Sequence, residues 1–367
     1  MSFDVTRYKK IAENFELWWE HKLNRPIIQV TLNPVAKSEG DFFASTYRRD
    51  ILNACYDLEL PAKDAAQQID DAYERLIFLG DAFPVFYMRP TCVMGGFLGQ
   101  EYKVNHEQGT VWFEQTGQEL DEITKLEADF ENPLLKRALD LTKAVRDHFQ
   151  GRLAMGVPDM GGVYDILSAM RDTNELLMDL YDEEDEVKAA AWNLHEQFKK
   201  LYDAFMKILD PEQLPGYTCW ATMMSQKPYF VLQNDFSAMI GPDMYDEFYL
   251  PILQKECEYI PRTIYHLDGP DAVRHLDSIL TVKELDGVQW VNGAGSAPVN
   301  EWPEIYRKVI GAGKLCQVFI NGSQELKYID DIVNIVGTTK GLCFICTGTE
   351  NEREAFEEYL KKYQVEY

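Results

Sequence analysis

Eight short, nearly all-apolar runs, each followed by an amphipathic stretch of helical spacing, constrain this chain more than any other feature. They are Pro26–Leu32, Phe83–Met88, Leu153–Val157, Tyr229–Gln233, Thr263–His266, Gly287–Val291, Leu315–Ile320 and Gly341–Cys346. An apolar run with no polar alternation fits a parallel strand covered on both faces. Eight strand–helix units in 367 residues point to one α/β domain, a single (β/α)8 TIM barrel spanning residues 1–367, rather than two domains. A doubly wound open sheet is the competitor, and no glycine-rich fingerprint follows any strand to favour it. Residues 1–25 form a helical extension, with Phe15, Trp18, Trp19 and Leu23 on one apolar face. Helices are expected around Lys63–Leu79, Pro133–Phe149, Val163–Tyr181, Glu184–Leu209 and Asp243–Glu258, and Tyr217–Ala221 reads as an extra strand.

Charge narrows the partners. With 36 Lys+Arg against 61 Asp+Glu the net charge is −25, which repels nucleic acid, anionic membrane and polyanionic ligands. No apolar run approaches the roughly 20 residues of a membrane span, and the start of the chain carries no apolar signal core. Seven scattered cysteines without framework spacing suit a reducing cytoplasm. A small-molecule substrate is expected, and a homo-oligomer is left open.

In a barrel, chemistry sits where strands end and loops begin. His266 and Asp268, two apart on an extended strand, project to one side, and Cys346 ends the strand across the mouth. An imidazole, a carboxylate and a thiolate with an open fourth position would make a zinc site. A histidine bonded to its neighbouring acid, with Cys346 in the core, is the alternative from spacing alone. Asp235 stands at the end of the fourth run, as a catalytic group or as a turn cap. Asp159, Trp220, Gln233, Tyr265, Gln289 and Trp290 are candidate substrate-binding residues near the same mouth. Asn292–Gly295 is read as a turn and Asp182–Glu186 as a solvated cluster. His21, His106, His148, His195 and His275 are read as surface residues. Cys343 and Cys346 fall on opposite strand faces, which argues against a redox pair.

The stretch Leu232–Leu253 (LQNDFSAMIGPDMYDEFYLPIL), with YHLDG, DGVQWVNGAG, GLCFICTG and Gly156–Val187, resembles the uroporphyrinogen decarboxylase-like superfamily of (β/α)8 barrels. The resemblance covers most of residues 150–367. True uroporphyrinogen decarboxylases grip an octacarboxylate with an arginine-rich loop after strand one and an aspartate after strand two. Here Asn33–Lys37 holds no arginine, and Arg89–Pro90 stands where the aspartate would be. The other branch, the corrinoid-linked methyltransferases, holds zinc with His-x-Cys after strand five and Cys after strand eight. The pattern falls on His266, Asp268 and Cys346. The Asp at the middle position hardens the site, favouring an ether or alcohol methyl donor over thiol activation. No D-x-H-x-x-G cobalamin signature is present, so the resemblance implies a corrinoid supplied by a separate protein, with Asp235 and His266 as catalytic residues. A metal-free decarboxylase or lyase acting on a small acid is the alternative activity.

Overall fold

The computed structural model describes residues 4–34, 46–89, 92–105, 110–209 and 212–366. The sequence's eight runs appear as strands, some shorter and some longer than expected, accompanied by four further strands. In chain order the strands are β1 (Ile27–Asn33), β2 (Ile77–Gly80), β3 (Val85–Phe86), β4 (Tyr102–Asn105), β5 (Thr110–Phe113) and β6 (Ala154–Gly156). They continue as β7 (Tyr217–Thr218), β8 (Tyr229–Gln233), β9 (Arg262–Asp268), β10 (Gly287–Val291), β11 (Leu315–Asn321) and β12 (Leu342–Thr349). One sheet runs β2-β1-β12-β11-β10-β9-β8 and a second runs β3-β6-β7. All pairings in these two sheets are parallel except β1 with β2. The result is a mostly parallel α/β fold of TIM-like type, wrapped by helices.

Among the described residues, strand pairing does not close into one ring. Two causes are visible. The apolar run Leu76–Leu79, expected as the end of a helix, leaves the helix Ala62–Tyr73 and pairs antiparallel with β1 as β2. The expected strand Phe83–Met88 shrinks to two ladder residues beside Pro84, which has no N–H to offer. The hairpin β4–β5 was not foreseen either. The expected helix Val163–Tyr181 breaks at Asp172, whose φ is 85° and whose Oδ1 accepts the N–H groups of Asn174 and Glu175 at 2.9 and 3.4 Å. His106 and residues 35–37 lie outside the described residues.

The N-terminal helix Val5–Trp19 starts at Asp4, whose side chain accepts the Thr6 N–H at 2.9 Å. Phe15, Trp18 and Trp19 on its inner face are buried. Trp19 meets Tyr229, the first residue of β8, at 5.5 Å between rings. Glu16 forms a two-pronged ion pair with Arg262, the first residue of β9, at 2.6 and 2.8 Å. The helix therefore packs across the strands' N-terminal ends and leaves their C-terminal ends for the site. The helical region 242–259 carries a π turn at Tyr245–Tyr249, where the Leu250 N–H reaches the Tyr245 carbonyl. Pro251, one position later, cannot make the ordinary helical bond, and the wider turn accommodates it. No helix among the described residues is long and apolar enough to cross a membrane.

Candidate metal and active site

A cavity of about 760 Å³ opens at the C-terminal ends of the parallel strands and takes lining residues from both sheets. Its position follows from side-chain parity. Gln233, His266, Gln289 and Gln317 are cross-strand partners on β8, β9, β10 and β11, so they form one polar layer pointing inward. His266 Nδ1 is bonded to Gln289 Oε1, and Gln289 Nε2 donates to Gln317 Oε1. With Oε1 facing it, Nδ1 carries the ring proton and Nε2 presents its lone pair. Trp220 stands edge-on to the imidazole at 5.0 Å and fixes the ring plane.

Two residues above that layer, Asp268 joins His266 on the cavity wall. Asp235 reaches the same point from the 3-10 turn Asp235–Met239 that follows β8. Ligand-capable atoms of Asp235, His266 and Asp268 all lie within 4.8 Å of one another. Asp268 Oδ1 is buried without a hydrogen-bond partner. Asp235 opens to the cavity but is walled by protein on its other sides. That recess raises its carboxyl pKa, His266 pulls it down, and Asp268 raises it further. Two carboxyl groups and one imidazole lone pair this close form a hard, oxygen-rich donor set able to hold a cation, and the unpaired Asp268 oxygen fits a metal ligand.

The turn bearing Asp235 is held from behind. Asp165 accepts the Phe236 N–H at 2.8 Å and the Gly162 N–H at 3.1 Å, tying the turn to the start of the helix Val163–Arg171. Burial, then the charge of Asp235, pushes the Asp165 carboxyl up to about 8. Gly162 fits because a Cβ there would stand 2.0 Å from the Gln233 carbonyl oxygen. Tyr249 donates to that same oxygen at 3.0 Å.

Several expected site residues stand elsewhere. Cys346 does not join the metal group: its neighbours Ile345 and Thr347 line the cavity, while Cys346 is fully buried in the apolar core on the other strand face. The reason is strand parity, since residues one apart point oppositely. Asp235, expected as a catalytic group or a turn cap, starts the turn after β8 and stands in the group with His266 and Asp268. Tyr265 also faces away from the cavity, buried on the other strand face with its ring 6.4 Å from that of Tyr249. Gln289 does not line the cavity and is fully buried, holding His266. Trp290 contributes to the wall, but its ring packs edge-on against Trp302 at 5.2 Å. Asp159, Trp220 and Gln233 line the cavity with the trio. The wall also takes Cys92, Arg89 and the rings of Tyr87 and Phe319, none of which the spacing of strand-end motifs singled out. The glutamines were the readable signal: one polar residue recurs inside β1, β8, β10 and β11.

The histidines expected at the surface divide. His21 is exposed and His148 half-buried against Asp70 at 2.9 Å. His195 and His275 are buried, because they lie on the inward faces of their helices. Burial pushes the His195 pKa down to about 4. His275 bonds the Ser237 carbonyl at 2.9 Å and stacks on Tyr245.

This fold is also that of a known methyltransferase. A methyltransferase from Methanosarcina mazei superposes with a TM-score of 0.63 over 97% of this chain and 99% of its own, at 12% sequence identity. No protein-family profile matches the sequence, and no curated protein matches it.

Among the described residues lining the cavity, Arg89 is the single lysine or arginine, set against Asp159, Asp235, Asp268 and Glu325. Such a wall has no means of neutralising a ligand with many carboxylates.

Proposed function

We propose that this chain is a metal-assisted methyltransferase that moves a methyl group between a small methylated substrate and the corrinoid of a separate protein, on a closed (β/α)8 barrel of the uroporphyrinogen decarboxylase-like superfamily. The convergence of Asp235, His266 and Asp268 inside a strand-end cavity carries the reading. The fold shared with the Methanosarcina mazei methyltransferase supports it, as does the motif order of residues 150–367. Asp235, His266 and Asp268 are the proposed ligands, with zinc as the first candidate. A bound divalent cation would supply Lewis-acid polarisation of the substrate's heteroatom. The chain's own contribution is to orient His266 through Gln289 and Gln317, to set Trp220 against the imidazole, and to offer an open position beside three fixed donors. The hard donor set favours a methylated oxygen over a thiol. The corrinoid protein would meet the strand-end mouth, and a cytoplasmic setting accords with seven free cysteines.

The test is direct. Protein stripped with chelator, then titrated with zinc, is mixed with chemically reduced cob(I)alamin and a panel of methyl alcohols, ethers, amines and thioethers, and methylcobalamin is followed by absorbance. Stoichiometric zinc, zinc-dependent methylation and its loss in His266→Ala are expected. Zinc-independent release of carbon dioxide from a small acid, with no methylcobalamin, would replace this reading by the decarboxylase alternative.

A further inference from the structure

Asp159 is a buried carboxyl in the cavity wall that stands outside the metal group. It follows β6 directly, shares the cavity with the trio, and is 1% exposed. Its loop is clamped at both ends. The Asp159 carbonyl accepts the Val93 N–H at 3.0 Å, and Asp159 Oδ1 accepts the Gly161 N–H at 3.1 Å. Gly161 has a φ of +76°, and a Cβ on it would meet Cys92 Sγ at 2.9 Å, so this loop sits tightly against the segment that follows β3. The second oxygen, Oδ2, is buried with no hydrogen-bond partner. A fixed carboxyl with one satisfied oxygen and one orphaned oxygen, in a cavity wall, is built to be protonated and to hand that proton to something in the cavity.

We propose that Asp159 is a catalytic residue, the acid that protonates the leaving oxygen when a methyl alcohol or methyl ether gives up its methyl group. The inference rests on the methyl-transfer reading above. The methyl carbon bonds to the cobalt of a Co(I) corrinoid, which provides the electron pair. The carbon–oxygen bond breaks and leaves its pair on oxygen. That oxygen takes the Asp159 proton and departs as water from methanol or as an alcohol from an ether, and the Asp159 carboxylate regains a proton from solvent. Hydroxide and alkoxides are poor leaving groups, so without this proton the step stalls. Burial raises the Asp159 pKa to about 7; the Gly161 and Cys92 N–H groups oppose the rise and the charge of Asp235 adds to it, so a large share of the carboxyl is protonated in neutral solution. The other ionisable groups facing it are the Cys219 thiol and the Tyr56 phenol, while Cys92 meets it through its backbone N–H. Burial raises the first two well above neutrality, so neither competes as an acid near pH 7.

The experiment compares donors by leaving group. Zinc-loaded wild type, Asp159→Asn and Asp159→Ala are given cob(I)alamin with methanol or 2-methoxyethanol as oxygen donors, or trimethylsulfonium, whose neutral thioether leaves without a proton. Zinc stoichiometry and melting temperature are read on each variant. Asp159→Asn should lower the oxygen-donor rate by about 10²–10⁴-fold while the sulfonium rate stays within about twofold and zinc stays stoichiometric. Added formate should partly restore the oxygen-donor rate in Asp159→Ala. An equal loss on both donor types, or an oxygen-donor rate that survives in Asp159→Asn, would overturn the proton-donor role and leave the methyl-transfer reading standing. A wild type that binds zinc yet methylates cobalamin from none of the donors would overturn that reading, and this inference with it.

Discussion

Replacing Gln289 by leucine tests whether the polar layer beneath the site orients the metal ligand. Gln289 is fully buried and bridges His266 Nδ1 to Gln317 Oε1. Leucine removes both bonds and strands two buried polar groups, each costing about 1–3 kcal/mol. Gln317→Leu costs a similar amount for one stranded group, the Gln289 amide, yet leaves the His266 bond intact. Their effects on stability therefore overlap, while their effects on the imidazole differ. Loss of a partner that orients a metal-bound histidine lowers metal affinity about 10–100-fold, or about 1.4–2.7 kcal/mol. Cobalt(II) titration of chelator-stripped protein, followed by visible absorption, reads the affinity, and calorimetric melting of metal-free protein reads the stability. Gln289→Leu should bind cobalt about 10–100-fold more weakly, and Gln317→Leu within about threefold of wild type. Gln289→Glu should keep or tighten binding, because its carboxylate still accepts from Nδ1. The Gln317 amide, whose Nε2 has no partner, can turn to face it. Equal weakening by Gln289→Leu and Gln317→Leu would refute the orienting argument, as would wild-type affinity in Gln289→Leu.

Asp268→Asn and Asp235→Asn should each abolish stoichiometric zinc binding in a folded protein, checked by elemental analysis after dialysis. Cys346→Ala should leave zinc content unchanged and cost about 1 kcal/mol of stability through lost packing; a drop in bound zinc would show that the sulfur reaches the site after all. Gly162→Ala should cost about 1–3 kcal/mol by pushing the new methyl into the Gln233 carbonyl, and should weaken metal binding through the displaced Asp235 turn. Glu256 is buried beside Asp165, and burial lifts its carboxyl from an ordinary 4.5 to about 8. The folded state keeps a proton that the unfolded chain releases, so this stability is fully present below about 4.5 and is lost as pH rises to about 8. Denaturant unfolding across that range should show stability falling with pH, and Glu256→Gln should remove up to about 1.4 kcal/mol per pH unit of that slope.

The strand–helix rhythm was legible because burial on both faces leaves an apolar run that few other structures need. His266 and Asp268 were legible for a related reason: spacing by two on an extended strand preserves the face. Cys346 was misplaced because nothing in the sequence states which parity of β12 looks inward. Once Gln317 is known to pair with Cys343, the inward set must be 343, 345 and 347, and Cys346 is excluded. Asp235 as a third ligand was not readable, because it arrives on a turn whose path depends on Asp165 and Gly162 in another loop. β2 escaped detection for a different reason. A four-residue apolar strand continuing a helical stretch carries too short a pattern for its period to be told apart.

The N-terminal helix closes one end of the strand assembly with Phe15, Trp18 and Trp19 and pins itself there through Glu16 and Arg262. Traffic to the trio consequently has its doorway on the opposite side, the side on which a bulky corrin carrier would have to settle. If both visitors use that doorway, the small methyl donor must enter before the carrier arrives, and its demethylated remnant leaves only after the carrier lifts off. Steady-state kinetics would then follow a compulsory sequence, with excess carrier inhibiting turnover by sealing the donor out.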